Sequence, residues 1–325
     1  MMNRSSSVIR PQALSVIKPR ALGLGATLAV VSPASTPKPD AVHRGIAHLH
    51  SLGYKTVLGK HTLDNGPLYY AGTIDDRLED LHAAFADPAI DGIICVRGGW
   101  GSAELLPRLD TGLIRSNPKV FIGYSDHTSL HVWMHNEANL VTFYGPMVAA
   151  DFSRDDGVDD ASWRHSLQGD SSWSLGVEDG LRMLRPGRAD GLLDGGCISI
   201  FAEALGTPYA PRIDRASILF LEDIGTKPYQ WDRMLLHLRY AGLLEKVTGI
   251  VFGDMRQCVG AEEADYLDRA ILHSLRDFDG PIAIGLRSGH VGVSNVTLPL
   301  GISAALDLTE AGNPRMHFLE AAVTV

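Results

Sequence analysis

The stretch Val120-Phe121-Ile122-Gly123-Tyr124-Ser125-Asp126-His127-Thr128-Ser129-Leu130 constrains this chain more than any other. Three apolar residues of β-branched and aromatic type read as the end of a buried strand. Gly123 has no Cβ and permits a sharp turn. Leu130, Val132, Trp133 and Met134 then read as a helix. Ser125 is therefore expected at a strand-to-helix turn on the carboxyl edge of a sheet, the mechanical idea of a nucleophile elbow. Backbone N–H groups at such a helix start can also stabilise an oxyanion. The spelling departs from G-x-S-x-G, because position 127 is His. An N-cap serine opening a helix is the competing reading of the same residue.

Around this stretch, strands and helices alternate. Thr27 to Ser35 reads as a short buried strand ending in a Ser/Pro loop, and Asp40 to Leu52 as a helix stopped by Gly53. A second strand is expected over Lys55 to Leu58, and an amphipathic helix over Thr73 to Phe85. A third strand, Ala89 to Val96, runs straight into Arg97-Gly98-Gly99-Trp100-Gly101-Ser102, and a helix follows around Ala103 to Leu109. This alternation predicts an α/β fold with a doubly wound parallel sheet, whose ligands bind beyond the carboxyl ends of the strands. Gly98-Gly99 and Ser125 both lie at such ends. Residues 151–187 are rich in Asp and Ser with little apolar period, and read as a connection. Beyond it, strands are expected at Ala189 to Ile200, Ser217 to Leu221, Gly249 to Phe252, Pro281 to Leu286 and Thr297 to Leu300, with helices at Trp231 to Tyr240 and Asp265 to Arg276.

A length of 325 residues allows two ordinary domains. The net charge of −9 argues against a nucleic-acid or anionic-membrane partner. Cys95, Cys197 and Cys258 are widely spaced without a C-x-x-C pair, which points to a reducing compartment and no disulfide framework. No apolar run approaches the roughly 20 residues of a membrane span. Arg10 and Pro11 break the apolar N-terminus, so no signal-type segment forms. A cytoplasmic location is the expectation.

A nucleophilic serine needs a base and a group that orients the base. Glu222 follows the apolar strand Ser217 to Leu221, and His290 sits in the glycine-flanked loop Arg287-Ser288-Gly289-His290-Val291-Gly292. Each lies at a strand exit, which lets side chains from different elements converge. Taken singly, Glu222 also reads as a turn carboxylate and His290 as a loop histidine bonded to backbone.

Five motifs in order carry a family resemblance: Val96-Arg97-Gly98-Gly99-Trp100-Gly101; Gly123-Tyr124-Ser125-Asp126; Leu221-Glu222-Asp223-Ile224-Gly225; Asp232-Arg233-Met234-Leu235; and Gly289-His290 with Asn295 to Gly301. Together they resemble the LD-carboxypeptidases from about Pro19 to Leu308. The resemblance implies an N-terminal α/β domain (residues 19–150, after an extension 1–18) and a smaller β-rich C-terminal domain (188–325), joined by the 151–187 linker. It implies a serine peptidase without metal or cofactor that removes the terminal D-alanine of L,D-linked murein tetrapeptides during cytoplasmic cell-wall recycling. On matching positions, Ser125 would be nucleophile, His290 the base and then acid, Glu222 its orienting partner, and Gly99 and Asp126 the oxyanion donors. Arg233 is the basic residue suited to a substrate carboxylate, with a salt bridge to Asp232 or to the Glu222 loop as the rival reading. Members of the family tend to be homodimers, although the composition demonstrates no interface. Microcin C immunity peptidases resemble the same family, act on acyl-sulfamide or phosphoramidate peptidyl nucleotides, and would need an aromatic such as Trp163 or Trp173 to stack on the base.

Two positions depart from the family pattern: Cys197 stands where relatives usually carry Asn, and His127 where many carry an apolar residue. Three other features compete for chemistry. His127, His131 and His135 share a helical face, as zinc ligands can, but no partner of evident spacing joins them. Cys95 ends a strand with no elbow glycine after it and reads as a buried thiol. Gly23-x-Gly25 precedes a strand instead of following one, so it fails as a dinucleotide fingerprint. A binding module in which Ser125 only caps a helix remains the non-catalytic alternative.

Overall fold

The structure, a computed structural model, describes residues 16–325. Residues 1–15 of the expected N-terminal extension lie outside the described residues. The first half runs β1 (Thr27–Val31), α1 (Pro39–Ser51), β2 (Lys55–Leu58), α2 (Ile74–Ala86), β3 (Gly92–Cys95), a 3₁₀ turn over Ser102–Arg108, α3 (Thr111–Ser116), β4 (Val120–Gly123), α4 (Thr128–Trp133) and β5 (Thr142–Tyr144). Five of these strands pair in parallel, in the order β5-β4-β3-β1-β2. Every residue of β3 and β4 is buried, as a parallel sheet covered on both faces requires. Thr73 caps α2 through a reciprocal capping box with Asp76, an arrangement worth about 1 kcal/mol.

The second half runs α5 (Asp160–Gln168), β6 (Trp173–Leu175), β7 (Arg182–Arg185), β8 (Gly187–Cys197), α6 (Ile198–Glu203), β9 (Ser217–Glu222), α7 (Pro228–Tyr240), β10 (Val247–Gly253), α8 (Ala264–Ser274), β11 (Ile282–Leu286), β12 (Leu298–Leu300), β13 (Ser303–Leu308) and β14 (Arg315–Phe318). The second sheet has the order β6-β14-β13-β8-β9-β10-β11-β7. Its centre, β8 to β11, is parallel, and antiparallel strands flank it on both sides. Leu235, Leu238 and Trp231 of α7 and Ile271 of α8 bury against Ile250 and Phe252 of β10.

The second sheet carries eight strands against six in the first, in keeping with the β-rich second half expected. The structure differs from the sequence expectation in two places. Segment 151–187 is not a bare connection: it supplies α5, β6 and β7. Trp163 of α5 buries against Tyr54 and Phe152, so its few apolar residues pack at single points that periodicity does not register. Finally, Leu298–Leu300 leaves the second half and pairs antiparallel with β5, closing the first sheet. A three-residue apolar run carries no information about which sheet edge will accept it.

This topology brings three carboxyl ends together. Ser125 lies two residues past β4, Glu222 ends β9, and His290 lies four residues past β11. Among the described residues, no helix is long and apolar enough to cross a membrane.

Candidate active site

Ser125 has φ +66°, a left-handed conformation that costs a non-glycine residue on the order of 1–3 kcal/mol. The turn's strain thus falls on the serine itself. Gly123 serves a different end from the one anticipated: a Cβ there would lie 2.8 Å from His127 Cδ2 and 3.1 Å from Cys95, so glycine allows close packing. Gly98 faces the Ser125 side chain, since a Cβ on it would come 2.8 Å from Ser125 Cβ and 2.9 Å from Oγ. Gly99 has φ +111°, and a Cβ there would reach 2.3 Å from Ser35 Oγ.

The residues after Ser125 clamp this glycine loop. Asp126 Oδ2 accepts from Ser102 N–H at 2.8 Å. His127 Nε2–H donates to the Arg97 carbonyl at 3.0 Å, which leaves Nδ1 to accept from Ser102 Oγ at 3.0 Å. Burial presses the His127 pKa down to about 4, so the ring is neutral and structural.

Glu222 and His290 form the tightest charged contact of the site. Glu222 Oε2 accepts from His290 Nδ1 at 2.9 Å and from its backbone N–H at 3.0 Å. A carboxylate only accepts, so the ring proton sits on Nδ1 and Nε2 presents a lone pair. Burial pushes the Glu222 carboxyl up, but the His290 charge and the hydrogen bonds from His290 and Tyr144 outweigh it and hold the carboxyl below its usual range. Burial likewise presses His290 down, but Glu222 outweighs it and leaves the imidazole above 6.5. Gly289 is required beside this pair: its φ is +90°, and a Cβ would lie 2.4 Å from Glu222 Cδ. Asn295 brackets the same glycine, accepting from its N–H at 3.0 Å and donating to its carbonyl at 3.1 Å.

Two groups that sequence reasoning passed over complete the site. Tyr144 Oη accepts from Ser125 N–H at 3.1 Å and donates to Glu222 Oε1 at 2.5 Å, so a chain of hydrogen bonds joins Ser125, Glu222 and His290. Its signal was available: Tyr144 ends β5, the strand beside β4, at the same sheet edge as Ser125. Asp151 is buried, accepts from Met147 N–H at 2.9 Å, and pairs with Arg154, which donates to the Gly292 carbonyl. Burial raises its carboxyl to about 6. Ser125 Oγ and His290 Nε2 are not hydrogen-bonded to one another, although the His290 ring packs edge-on against Tyr124 with centroids 5.2 Å apart.

Other anticipated residues fall elsewhere. Arg233 is exposed on α7 without an ion-pair partner among the described residues, and Asp232, its expected partner, accepts from Ser274. His131 bonds the Gly123 carbonyl and Thr142 Oγ1, while His135 pairs with Asp194, so the histidine face is spent on structural bonds. Trp163 and Trp173 are buried, one donating to Tyr54 and the other stacked on Phe318, and neither is open to a base. Cys95 and Cys197 are buried thiols whose pKa values burial pushes well up. Cys197 donates its N–H to Thr128 Oγ1 at 2.9 Å, and its thiol contacts Ser199 Oγ at 3.4 Å. A cavity of about 320 Å³ opens between α4 and α6, lined by Trp100, Leu106, Val132, Ile200, Ala204 and Tyr209.

Comparison with known proteins points to one family for both halves of the chain. The sequence matches the LD-carboxypeptidase N-terminal domain over residues 28–145 and the LD-carboxypeptidase C-terminal domain over residues 190–306. A probable murein peptide carboxypeptidase of Bacillus subtilis (strain 168) is 38% identical over 298 residues, covering 90% of this chain and 92% of the relative. The microcin C7 self-immunity protein of Escherichia coli is 27% identical, covering 88% and 92%. The crystal structure of a muramoyltetrapeptide carboxypeptidase from Oxalobacter formigenes superposes with a TM-score of 0.80 at 28% identity, covering 92% of this chain and all of that one. With both halves matched in order, this chain is a hydrolase belonging to the LD-carboxypeptidase family.

Proposed function

We propose that this protein is a cytoplasmic serine carboxypeptidase that removes the terminal D-alanine from L,D-linked murein tetrapeptides. The observation that carries the reading is the Glu222–His290 pair, which fixes the imidazole tautomer and leaves Nε2 with a bare lone pair, on a ring packed against Tyr124, the residue before Ser125. In this reading Ser125 Oγ attacks the scissile carbonyl carbon as its proton passes to His290 Nε2. The oxyanion is received by the N–H groups of Asp126 and Gly99, and the bare Cα of Gly98 leaves room for it. The bond to the D-alanine nitrogen then breaks, with His290 returning its proton to the leaving amine, and water releases the acyl group by the same steps in reverse. The contact between Ser125 Oγ and His290 forms in the substrate complex, because catalytic hydrogen bonds often tighten only there. Incubating the protein with a defined L,D-tetrapeptide should release free D-alanine, and Ser125→Ala should release none. Full activity in that variant overturns the reading.

The cavity beside the site favours a second substrate, a peptidyl nucleotide of the kind implied by the resemblance to microcin immunity peptidases. Its apolar lining suits a planar aromatic base better than the carboxylates of a murein stem, and Trp100, not Trp163 or Trp173, supplies the ring. Turnover of the two substrates side by side decides between them. Trp100→Ala should raise KM for the nucleotide alone.

A further inference from the structure

We infer that Tyr144 is a positioning residue that ties the Ser125 turn to the Glu222–His290 pair across the junction of the two sheets. The inference rests on the serine peptidase reading above. Tyr144 ends β5, opposite Gly123 in the register of the first sheet, whereas Glu222 ends β9 of the second. Its side chain is fully buried. The hydroxyl has one proton and that proton goes to Glu222 Oε1, because a carboxylate cannot donate; its lone pair takes the Ser125 N–H. One oxygen atom thus fixes both how the nucleophile turn sits and where the carboxylate that orients His290 sits. It also occupies the Ser125 N–H, which leaves the next N–H, that of Asp126, for an oxyanion. The ring itself is held by Phe220, His131 and Tyr124, with centroids 5.7, 5.7 and 6.1 Å away. Removing the oxygen alone therefore keeps the packing while cutting the link.

Tyr144→Phe in the full chain should lower kcat by roughly 10- to 100-fold with KM changed little, the loss expected for a hydrogen bond to a charged group. A purely structural role would instead lower the thermal midpoint and leave the kinetics of the folded fraction alone. The His290 titration supplies a readout independent of any substrate. The Tyr144 hydroxyl stabilises the deprotonated carboxylate, so removing it makes the coupled pair hold its protons more tightly. The imidazole midpoint followed by NMR should move up in Tyr144→Phe, and down when 3-fluorotyrosine, a stronger donor of nearly the same shape, replaces tyrosine. Unchanged kcat and an unmoved midpoint in both forms overturn the inference. Measuring Ser125→Ala in parallel separates the two proposals. Activity in that variant sinks the peptidase reading, whereas a dead Ser125→Ala beside an unaffected Tyr144→Phe sinks only the positioning role.

Discussion

Glu222 Oε2 holds His290 twice, through the ring Nδ1 at 2.9 Å and through the backbone N–H at 3.0 Å. One carboxylate oxygen therefore sets both the imidazole's tautomer and the path of the loop that carries it. Because Glu222 also accepts from Tyr144, this buried carboxylate has partners on both of its oxygens. A buried charge left without them would cost several kcal/mol.

Glu222→Gln keeps the shape and removes the charge. The amide offers its N–H₂ group to a ring nitrogen and selects the wrong tautomer, so kcat should drop on the order of 10³- to 10⁴-fold. Steady-state kinetics on the tetrapeptide check this; a loss under tenfold would mean that Glu222 does not orient the base.

The pH–rate profile of kcat/KM should rise with pH through a limb above 6.5. In the proposed mechanism only the deprotonated Nε2 accepts the serine proton, and Glu222 holds the His290 pKa above its ordinary value. A limb below 6.5 would contradict the ion pair as the dominant influence.

Gly98→Ala tests the space around the nucleophile. The added methyl would sit 2.9 Å from Ser125 Oγ, inside contact distance. Overpacking of this kind costs about 1–3 kcal/mol, so the variant should fold and yet lose most of its turnover. Wild-type kcat in Gly98→Ala would show that the oxyanion does not form at this face.

Acid should weaken the fold through its buried neutral histidines. The His127 pKa is pressed to about 4 and that of His131 to about 3. Unfolded histidine binds a proton near 6.5, so between 6.5 and about 4 the unfolded state gains protons that the folded state refuses, and stability falls as pH falls. Each histidine contributes on the order of 1 kcal/mol per pH unit. Asp151, held near 6, acts in the opposite sense below that pH, so the informative quantity is a difference. His127→Gln should show a shallower pH dependence of the chemical-denaturation midpoint than wild type over this window.

Much of this was legible from residue order. The alternation of apolar runs with helical spacing specified a parallel sheet, and motifs at strand exits pointed to Ser125, Glu222 and His290, because a strand that ends at a polar residue must present it at the sheet's edge. Gly98 and Gly99 stood out for the same reason. Arg233 lies on the exposed face of α7, and spacing along a chain says nothing about which way a helix will be turned. Trp163 and Trp173 are buried and not open to a base, since their burial depends on partners a hundred or more residues away, Tyr54 and Phe318.

Local sequence thus determined which residues are candidates for chemistry and where along each strand they emerge, for these follow from side-chain chemistry and from periods of two and 3.6 residues. Only the tertiary structure decided that Leu298–Leu300 would close the first sheet, that strain would fall on Ser125 and not Gly123, and that Tyr144 would bridge the two halves. Those outcomes depend on contacts between segments distant in sequence, whose energies no local pattern records.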